Sequence, residues 1–397
     1  MMRLTPDIIV LIQDYREDSP ETVALMSKRY PDLPMAFVAQ QVKARQRIRK
    51  KLPRWYANES IVFPHSLFLE QCSSEYAAEY KAGLLEGVTI ADLTGGFGVD
   101  AIAFSERFKR VFYIERNREL SEMVAQNVLV LGKESQVETF ADDGLDWLDK
   151  YSGRVDVVYL DPARRDNRSL KVSALEDCEP NLKQYWKILL RKSGKVAVKL
   201  SPGLDVDRII ASLPHIFEIH ILSIENECKE CFCIAREEHA GEPEIVCVNR
   251  LNDSNWDTFI FKRSEEKASQ GSYSMYSKFL YEPNASIMKG GGFKTLGDRL
   301  GLALLHPRTR FYSSEQMIEG FPGKVFEILD SGELQKKGAT ALFPEGQANV
   351  LARNAGLSSP DLKRKLGLRD GGDLFAIGTT DVGGRRRLLK CRKVERS

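Results

Sequence analysis

The chain is poor in histidine and cysteine for its length, and it has no long apolar run. Five histidines are scattered through 397 residues without the spacing of a Ser-His-Asp or Cys-His enzyme. Seven cysteines, an odd number, do not make the framework of a small secreted protein and predict a reducing, cytoplasmic setting. Cys228, Cys231 and Cys233 lie near His220 and His239 in "CKECFC", but no second C-x-x-C pair follows. Cys231 and Cys233 fall on one side of an expected strand, so the expectation is buried thiols and no metal. No apolar run is long enough to span a bilayer and no signal-peptide pattern is present, so no membrane partner is expected. The formal net charge is only +2, which excludes a uniformly basic polymer binder. "GGGFKTLGDRLGL" lacks the Gly-Lys-Ser/Thr of a Walker motif. Gly290, Gly291 and Gly292 with Lys289 and Lys294 would suit either a phosphate at a helix start or an ordinary loop into a helix.

What the chain does have is local charge. Residues 43–54, "KARQRIRKKLPR", carry seven Lys or Arg and no acid, and residues 353–397 carry twelve against five acids. Such segments suit a polyanion or serve as solvated faces. "HPR" at 306–308 and "GRRRLLKCRK" read as surface. The length predicts two or three domains. Residues 1–85 read as helical, with "SPETVALMSKRY" opening on a Ser-Pro-Glu start signal and "SSEYAAEYKAGLL" opening on Ser73 and Ser74.

From residue 88 the pattern changes to short apolar strands alternating with helices: "VTIADL", "RVFYIE", "QVETFA", "VDVVYLD", "GKVAVKLS", "HIFEIHILSIE" and "ECFCIARE". Strand and helix in alternation predict a mostly parallel sheet covered on both faces. Only "NECK" separates the last two strands, so they form a hairpin and the sheet is expected to end on one antiparallel strand. "FKRSEEKASQGSYS", 261–274, is polar and reads as a linker. No internal repeat is present.

Ligand chemistry concentrates at the strand ends. "ADLTGGFGVD" joins a strand to a helix, and Gly95, Gly96 and Gly98 let the backbone pass close beneath a ligand. Gly96, Gly98 and Ala101 also satisfy a dinucleotide fingerprint, which keeps a nucleotide-dependent oxidoreductase as an alternative. Asp92, placed before the glycines, would repel a pyrophosphate but would attract an ammonium group. Glu115 ends the next strand, where a carboxylate accepts both hydroxyls of a ribose. Asp142 and Asp143 end the third strand and Asp161-Pro162-Ala163-Arg164 the fourth. The ligand implied is a nucleoside joined to a positively charged amino-acid arm, which is the shape of S-adenosylmethionine.

With these motifs in this order, residues 70–240 resemble a class I S-adenosylmethionine-dependent methyltransferase. "EPNASIMKGGGFKTLGDRLGLALLHPRTRFYSS" and "RNAGLSSPDLKRKLGLRDGGDLFAI" extend the resemblance to a bacterial group with a C-terminal THUMP-like module. The resemblance implies an α/β fold: a doubly wound, seven-stranded Rossmann-like sheet after an N-terminal helical segment, followed by a small C-terminal α+β module. It implies domains at 1–85, 86–262 and 275–397, the last ferredoxin-like with a basic C-terminal part. It implies methylation of structured RNA, tRNA or rRNA, with a catalytically inactive RNA-binding relative as the alternative. Asp92, Thr94, Gly95, Gly96 and Gly98 would surround the methionine part, Glu115 the ribose, and Asp143 or Asp142 the adenine. Asp161, Pro162 and Arg164 would face the methyl donor and acceptor. Enzymes that methylate base amines often carry a second proline and an aromatic residue where this chain has Ala163 and Arg164. That departure counts against a base amine as acceptor, although Arg164, Arg165 and Arg168 would still stack on a base or grip phosphates.

Overall fold

Six short helices lead into the chain's first strand. They are α1 (Pro6–Asp14), α2 (Pro20–Ala24), α3 (Met35–Ile48), α4 (Pro53–Ala57), α5 (Ser66–Gln71) and α6 (Glu75–Leu84). The computed structural model describes residues 4–164, 175–252 and 255–395. Ser19 and Ser74 cap α2 and α6 by accepting from Thr22 N and Ala77 N, which is how small hydroxyl residues satisfy the orphan amides of a first turn. The extended residues that follow α4 are gripped from two sides. Gln41 exchanges two hydrogen bonds with the backbone of Phe63, and Asn127 exchanges two with Val62.

The alternating region runs β1 (Thr89–Asp92), α7 (Val99–Phe104), β2 (Arg110–Ile114), α8 (Arg118–Val130), β3 (Val137–Phe140), α9 (Gly144–Lys150), β4 (Val155–Leu160). A two-residue pair, β5 (Ala163–Arg164) and β6 (Cys178–Glu179), is followed by α10 (Leu182–Lys192), β7 (Ser193–Leu200), α11 (Val206–Ser212), β8 (Ile216–Ile224) and β9 (Glu227–Ala235). Next come β10 (Glu244–Arg250), β11 (Trp256–Phe261) and α12 (Arg263–Ala268). The strand order is β11-β10-β8-β9-β7-β4-β1-β2-β3. Strands β3, β2, β1, β4 and β7 pair in parallel, with Asp92 beside both Tyr113 and Tyr159. The seven expected strands are present and two more extend them. The expected place of the antiparallel strand is corrected: the hairpin turns at Glu225 and Asn226, both at positive φ, and β9 inserts between β7 and β8. The outer place belongs to β11, antiparallel to β10.

The chain forms two compact units, residues 1–217 with 232–241, and residues 218–231 with 242–397. The first unit has a core in which Ile48, Leu52 and Trp55 of the helical segment pack with Phe97, Val99 and Phe104. Trp55 lies 4.9 Å from the Phe97 ring. The helical start therefore shares its apolar core with the sheet that follows.

The basic run 43–54 looks different in place than in sequence. Arg45 is buried and donates to the carbonyls of Asn58, Glu59 and Ile61, and burial draws its pKa down to about 10. Arg47 pairs with Glu70, Arg49 with Glu17 and Arg54 with Glu79, while Lys51 binds two carbonyls. Most of this charge is engaged within the fold.

The second unit adds β12 (Phe279–Pro283), α13 (Ala285–Gly290), α14 (Phe293–Leu300), β13 (Ala303–Leu304), β14 (Tyr312–Ser314), β15 (Gly323–Glu333), α15 (Lys336–Leu342), β16 (Asn349–Ala352), α16 (Ser359–Leu366), β17 (Leu374–Thr380) and β18 (Arg386–Val394). Their strands order as β13-β14-β12-β15-β18-β17-β16. Two expectations are corrected here, and of the two readings left open for the glycine-rich helix start one is set aside. The polar linker contains α12. The glycine-rich helix start is taken by this chain's own carboxylate, because Glu266 accepts from Lys294 N, Thr295 N and the Thr295 hydroxyl, leaving the first turn of α14 little left to offer a phosphate. "GRRRLLKCRK" is not plain surface but the interior strand β18, with Leu388, Leu389 and Cys391 buried and Arg386, Arg392 and Lys393 exposed.

Candidate active site

The predicted ligand residues meet at the carboxyl ends of β1, β2 and β4. Asp92 ends β1 with 1% of its surface exposed, and its carboxylate accepts from Thr94 N at 3.1 Å. The Thr94 hydroxyl in turn accepts from Asp161 N at 2.6 Å, tying the end of β1 to the end of β4. Gly95 N donates to Ile114 O at 2.8 Å. A Cβ at Gly95 would stand 2.3 Å from the Tyr113 ring, so the backbone here lies against an aromatic face that no other residue would allow. Gly98 opens α7 at φ 78.

Glu115 carries the geometry expected of a ribose acceptor. One oxygen takes Gly96 N at 2.9 Å and the other takes Asn117 N at 2.7 Å. A carboxylate has about four acceptor positions, so each oxygen keeps a lone pair for a hydroxyl, while the two backbone bonds fix its direction. Tyr113 supports the loop from below by donating to Gly96 O at 2.6 Å.

Asp142 and Asp143 sit at the start of α9. Asp143 is its cap, accepting from Leu145 N and Asp146 N with one oxygen. Asp142 accepts from Asp143 N and pairs with Lys150. A Cβ at Gly144 would come 2.1 Å from Leu93 O, so this turn lies against the residue preceding the glycine loop. Pro162 and then the short strand β5, Ala163–Arg164, follow Asp161 directly; Arg165 and Arg168 lie outside the described residues.

Three features escaped the sequence reading. Lys199 on β7 pairs with Asp161, Nζ to Oδ2 at 2.5 Å. Lys81 is fully buried and pairs with Asp100 at 3.0 Å, while Ser73 and Tyr159 donate to the other oxygen of Asp100. Tyr113 underlies the glycines. The signal was a lysine within the apolar strand "KVAVKLS" and another within "YAAEYKAGLL", since a buried lysine requires a partner.

Electrically the site is acidic with two lysines set into it. Burial pushes the Asp92 carboxyl well above the ordinary aspartate range, and Asp100, Asp161 and Glu115 push it further. Asp100 stays below that range despite its burial, because Lys81 and Lys199 face it. A cluster of this kind repels a pyrophosphate and attracts a cation. The glycine cradle, the aimed Glu115 and the buried acid fit S-adenosylmethionine, a nucleoside joined through a sulfonium to an ammonium-bearing arm.

Comparison with known proteins agrees. Uncharacterized S-adenosylmethionine-dependent methyltransferases from two Mycobacterium tuberculosis strains, CDC 1551 / Oshkosh and H37Rv, are 25% identical over 79% of this chain and 83% of theirs. A ferredoxin-like domain family matches residues 279–322 and a THUMP domain-like family residues 323–393. A crystal structure of a candidate methyltransferase from Porphyromonas gingivalis W83 is 32% identical, covers 99% of this chain and 100% of its own, and superposes with a TM-score of 0.88. The chain belongs to the S-adenosylmethionine-dependent methyltransferases with a THUMP-like C-terminal domain. In this methyltransferase the Gly96-Gly98-Ala101 match no longer argues for a dinucleotide oxidoreductase, which is set aside.

The remaining candidate cluster is not a reactive one. Burial raises the thiols of Cys228 to about 11 and Cys231 to about 12, so they stay protonated. Among the described residues no group of three or more His, Cys, Asp or Glu is placed to hold a metal ion, and no helix is long and apolar enough to cross a membrane.

Proposed function

We propose that this methyltransferase acts on structured RNA, a tRNA or rRNA, with Asp161 at the point of transfer. The observation that carries the RNA reading is the THUMP-like domain at 323–393, together with the exposed Arg385, Arg386, Arg392 and Lys393 in and before its last strand. Exposed cations on a regular strand suit the phosphate contacts that position an RNA without reading its sequence. The division at 85, 262 and 275 goes with this reading: a helical segment built into the transfer domain, then a module that presents the substrate.

The cofactor supplies an already activated methyl group. The protein's part is alignment and exclusion of water. Glu115 would hold the ribose hydroxyls, and the backbone of Gly95, Gly96 and Gly98 would line the methionine part above Asp92. The turn bearing Asp142 and Asp143 would border the adenine. Asp161, its backbone fixed by Thr94, would orient the acceptor and receive its proton. Pro162 and Arg164 would flank that acceptor.

The test is transfer of labelled methyl to total tRNA and rRNA prepared separately from cells lacking the gene. Wild-type protein should label one pool, and Asp161→Asn should reduce labelling by about 10²–10⁴-fold while S-adenosylhomocysteine still binds. A folded protein that binds S-adenosylhomocysteine and labels no RNA would refute the RNA reading.

A further inference from the structure

Lys199 interrupts an otherwise apolar stretch of β7, where Val196, Ala197, Val198 and Leu200 are buried. β7 pairs in parallel with β4, with Leu160 beside Val198, so the next residue of each strand is Asp161 and Lys199. The lysine side chain is 13% exposed and the aspartate 31%, which leaves the carboxylate as the more accessible partner. Lys199 holds Asp161 Oδ2 at 2.5 Å, and Thr94 holds the Asp161 amide. Both the position and the direction of this carboxylate are thus set by neighbours.

We propose that the Lys199–Asp161 pair selects a hydroxyl oxygen as methyl acceptor, in RNA the ribose 2′-hydroxyl. This rests on the RNA reading above. The argument is one of charge and of acceptor count. A base amine becomes positive as it takes the methyl, and an ammonium at this distance from the reacting carboxylate opposes that change. A hydroxyl becomes negative as it gives up its proton, and the same ammonium favours it. An exocyclic amine also presents two hydrogens, whereas Asp161 has one oxygen engaged by Lys199 and the other to offer a single O–H. The motif past Pro162 has Arg164 where base-amine methyltransferases carry the aromatic residue, so it supplies no aromatic platform for a flipped base; a ribose needs none. The 2′-hydroxyl is also the group that distinguishes RNA from DNA.

The step balances without a further reactant. The hydroxyl oxygen donates its electron pair to the methyl carbon, the carbon–sulfur bond breaks with its pair left on sulfur, and the hydroxyl proton passes to Asp161 and on to solvent. Products are the methyl ether and S-adenosylhomocysteine. Lys199 acts through Asp161: it is a positioning residue.

The test hydrolyses RNA labelled by the full-length protein in alkali. A 2′-O-methyl group blocks cleavage of its own linkage, so label is expected in alkali-stable dinucleotides. Label in mononucleotides would mean a base acceptor and would overturn the inference while leaving the RNA reading intact. Absence of label from all RNA, with S-adenosylhomocysteine bound, would overturn the RNA reading and this inference with it. Lys199→Met should lower transfer by about 100-fold or more, with S-adenosylhomocysteine affinity within about threefold of wild type. Lys199→Arg, which keeps a cation beside Asp161, should recover a measurable part of the transfer lost in Lys199→Met. No recovery in Lys199→Arg, or a loss of cofactor affinity in step with transfer, would show a merely structural lysine.

Discussion

Replacing Gly95 by alanine should damage the cofactor loop by a route that can be isolated. The added Cβ would stand 2.3, 2.6 and 2.7 Å from three atoms of the Tyr113 ring, against 3.4 Å for ordinary contact. The ring must therefore withdraw by about 1 Å in a close-packed interior. Tyr113 is fully buried and its hydroxyl donates to Gly96 O, so withdrawal also strains that bond. Overpacking costs about 1–3 kcal/mol and a lost buried hydrogen bond about 0.5–1.5 kcal/mol, for a total of about 1.5–4.5 kcal/mol. Gly96→Ala is the control. Its Cβ meets only Thr94 O at 3.8 Å, and only its φ of +52 resists, at about 1–2 kcal/mol. Urea unfolding of Gly95→Ala in the wild-type and Tyr113→Leu backgrounds measures the coupling. With the ring gone, the cost of Gly95→Ala should fall below about 1 kcal/mol. An equal cost in both backgrounds would mean that the ring is not what keeps residue 95 a glycine.

Two further outcomes test the ligand site. Glu115→Ala should weaken S-adenosylhomocysteine binding by about 1.5–3 kcal/mol, the range for hydrogen bonds to a charged group; unchanged calorimetric affinity in a folded variant would end the ribose assignment. The raised Asp92 carboxyl predicts that affinity for this ammonium-bearing ligand rises with pH until Asp92 ionises unaided, by at most about tenfold per pH unit for one proton. In the free protein the same shift makes protonated Asp92 stabilising below the ordinary aspartate range, and that contribution is lost as pH rises through its raised pKa. Calorimetry from acid to neutral pH should show the slope in the wild type and a flatter one in Asp92→Asn; equal slopes would exclude Asp92 as its source.

The order of the strand-end acids and the glycine loop was legible because it is local. Each motif lies within a few residues of its strand, and the alternation of elements was read from apolar spacing alone. What was not legible depended on partners distant in sequence. The seven charges of 43–54 suit a polyanion or a solvated face in the sequence, but Glu17, Glu70, Glu79 and five carbonyls engage most of them within the fold. Glu266, inside an expected linker, takes the helix start offered to a phosphate. The place of β9 follows from pairing in the sheet, which a hairpin's loop length cannot specify. Lys199 is opposite Asp161 only because β4 and β7 are neighbours in parallel register.

The buried pair of Lys81 and Asp100 limits where this chain can be cut. Lys81 comes from the helix before the first strand, and Asp100 from the helix after the glycines. A chain begun at Thr89 would keep the whole glycine loop and yet lose Lys81 and Ser73, two of the groups that hold the buried Asp100 carboxylate, and removing one partner of a buried pair costs about 3–5 kcal/mol. Exchanging the helical start for that of another methyltransferase would do the same unless a lysine arrived in the same place. The stretch that looks like an appendage in the sequence is part of the same buried structure as the sheet, and a minimal methyltransferase cut from this protein has to begin well upstream of the motifs by which such enzymes are recognised.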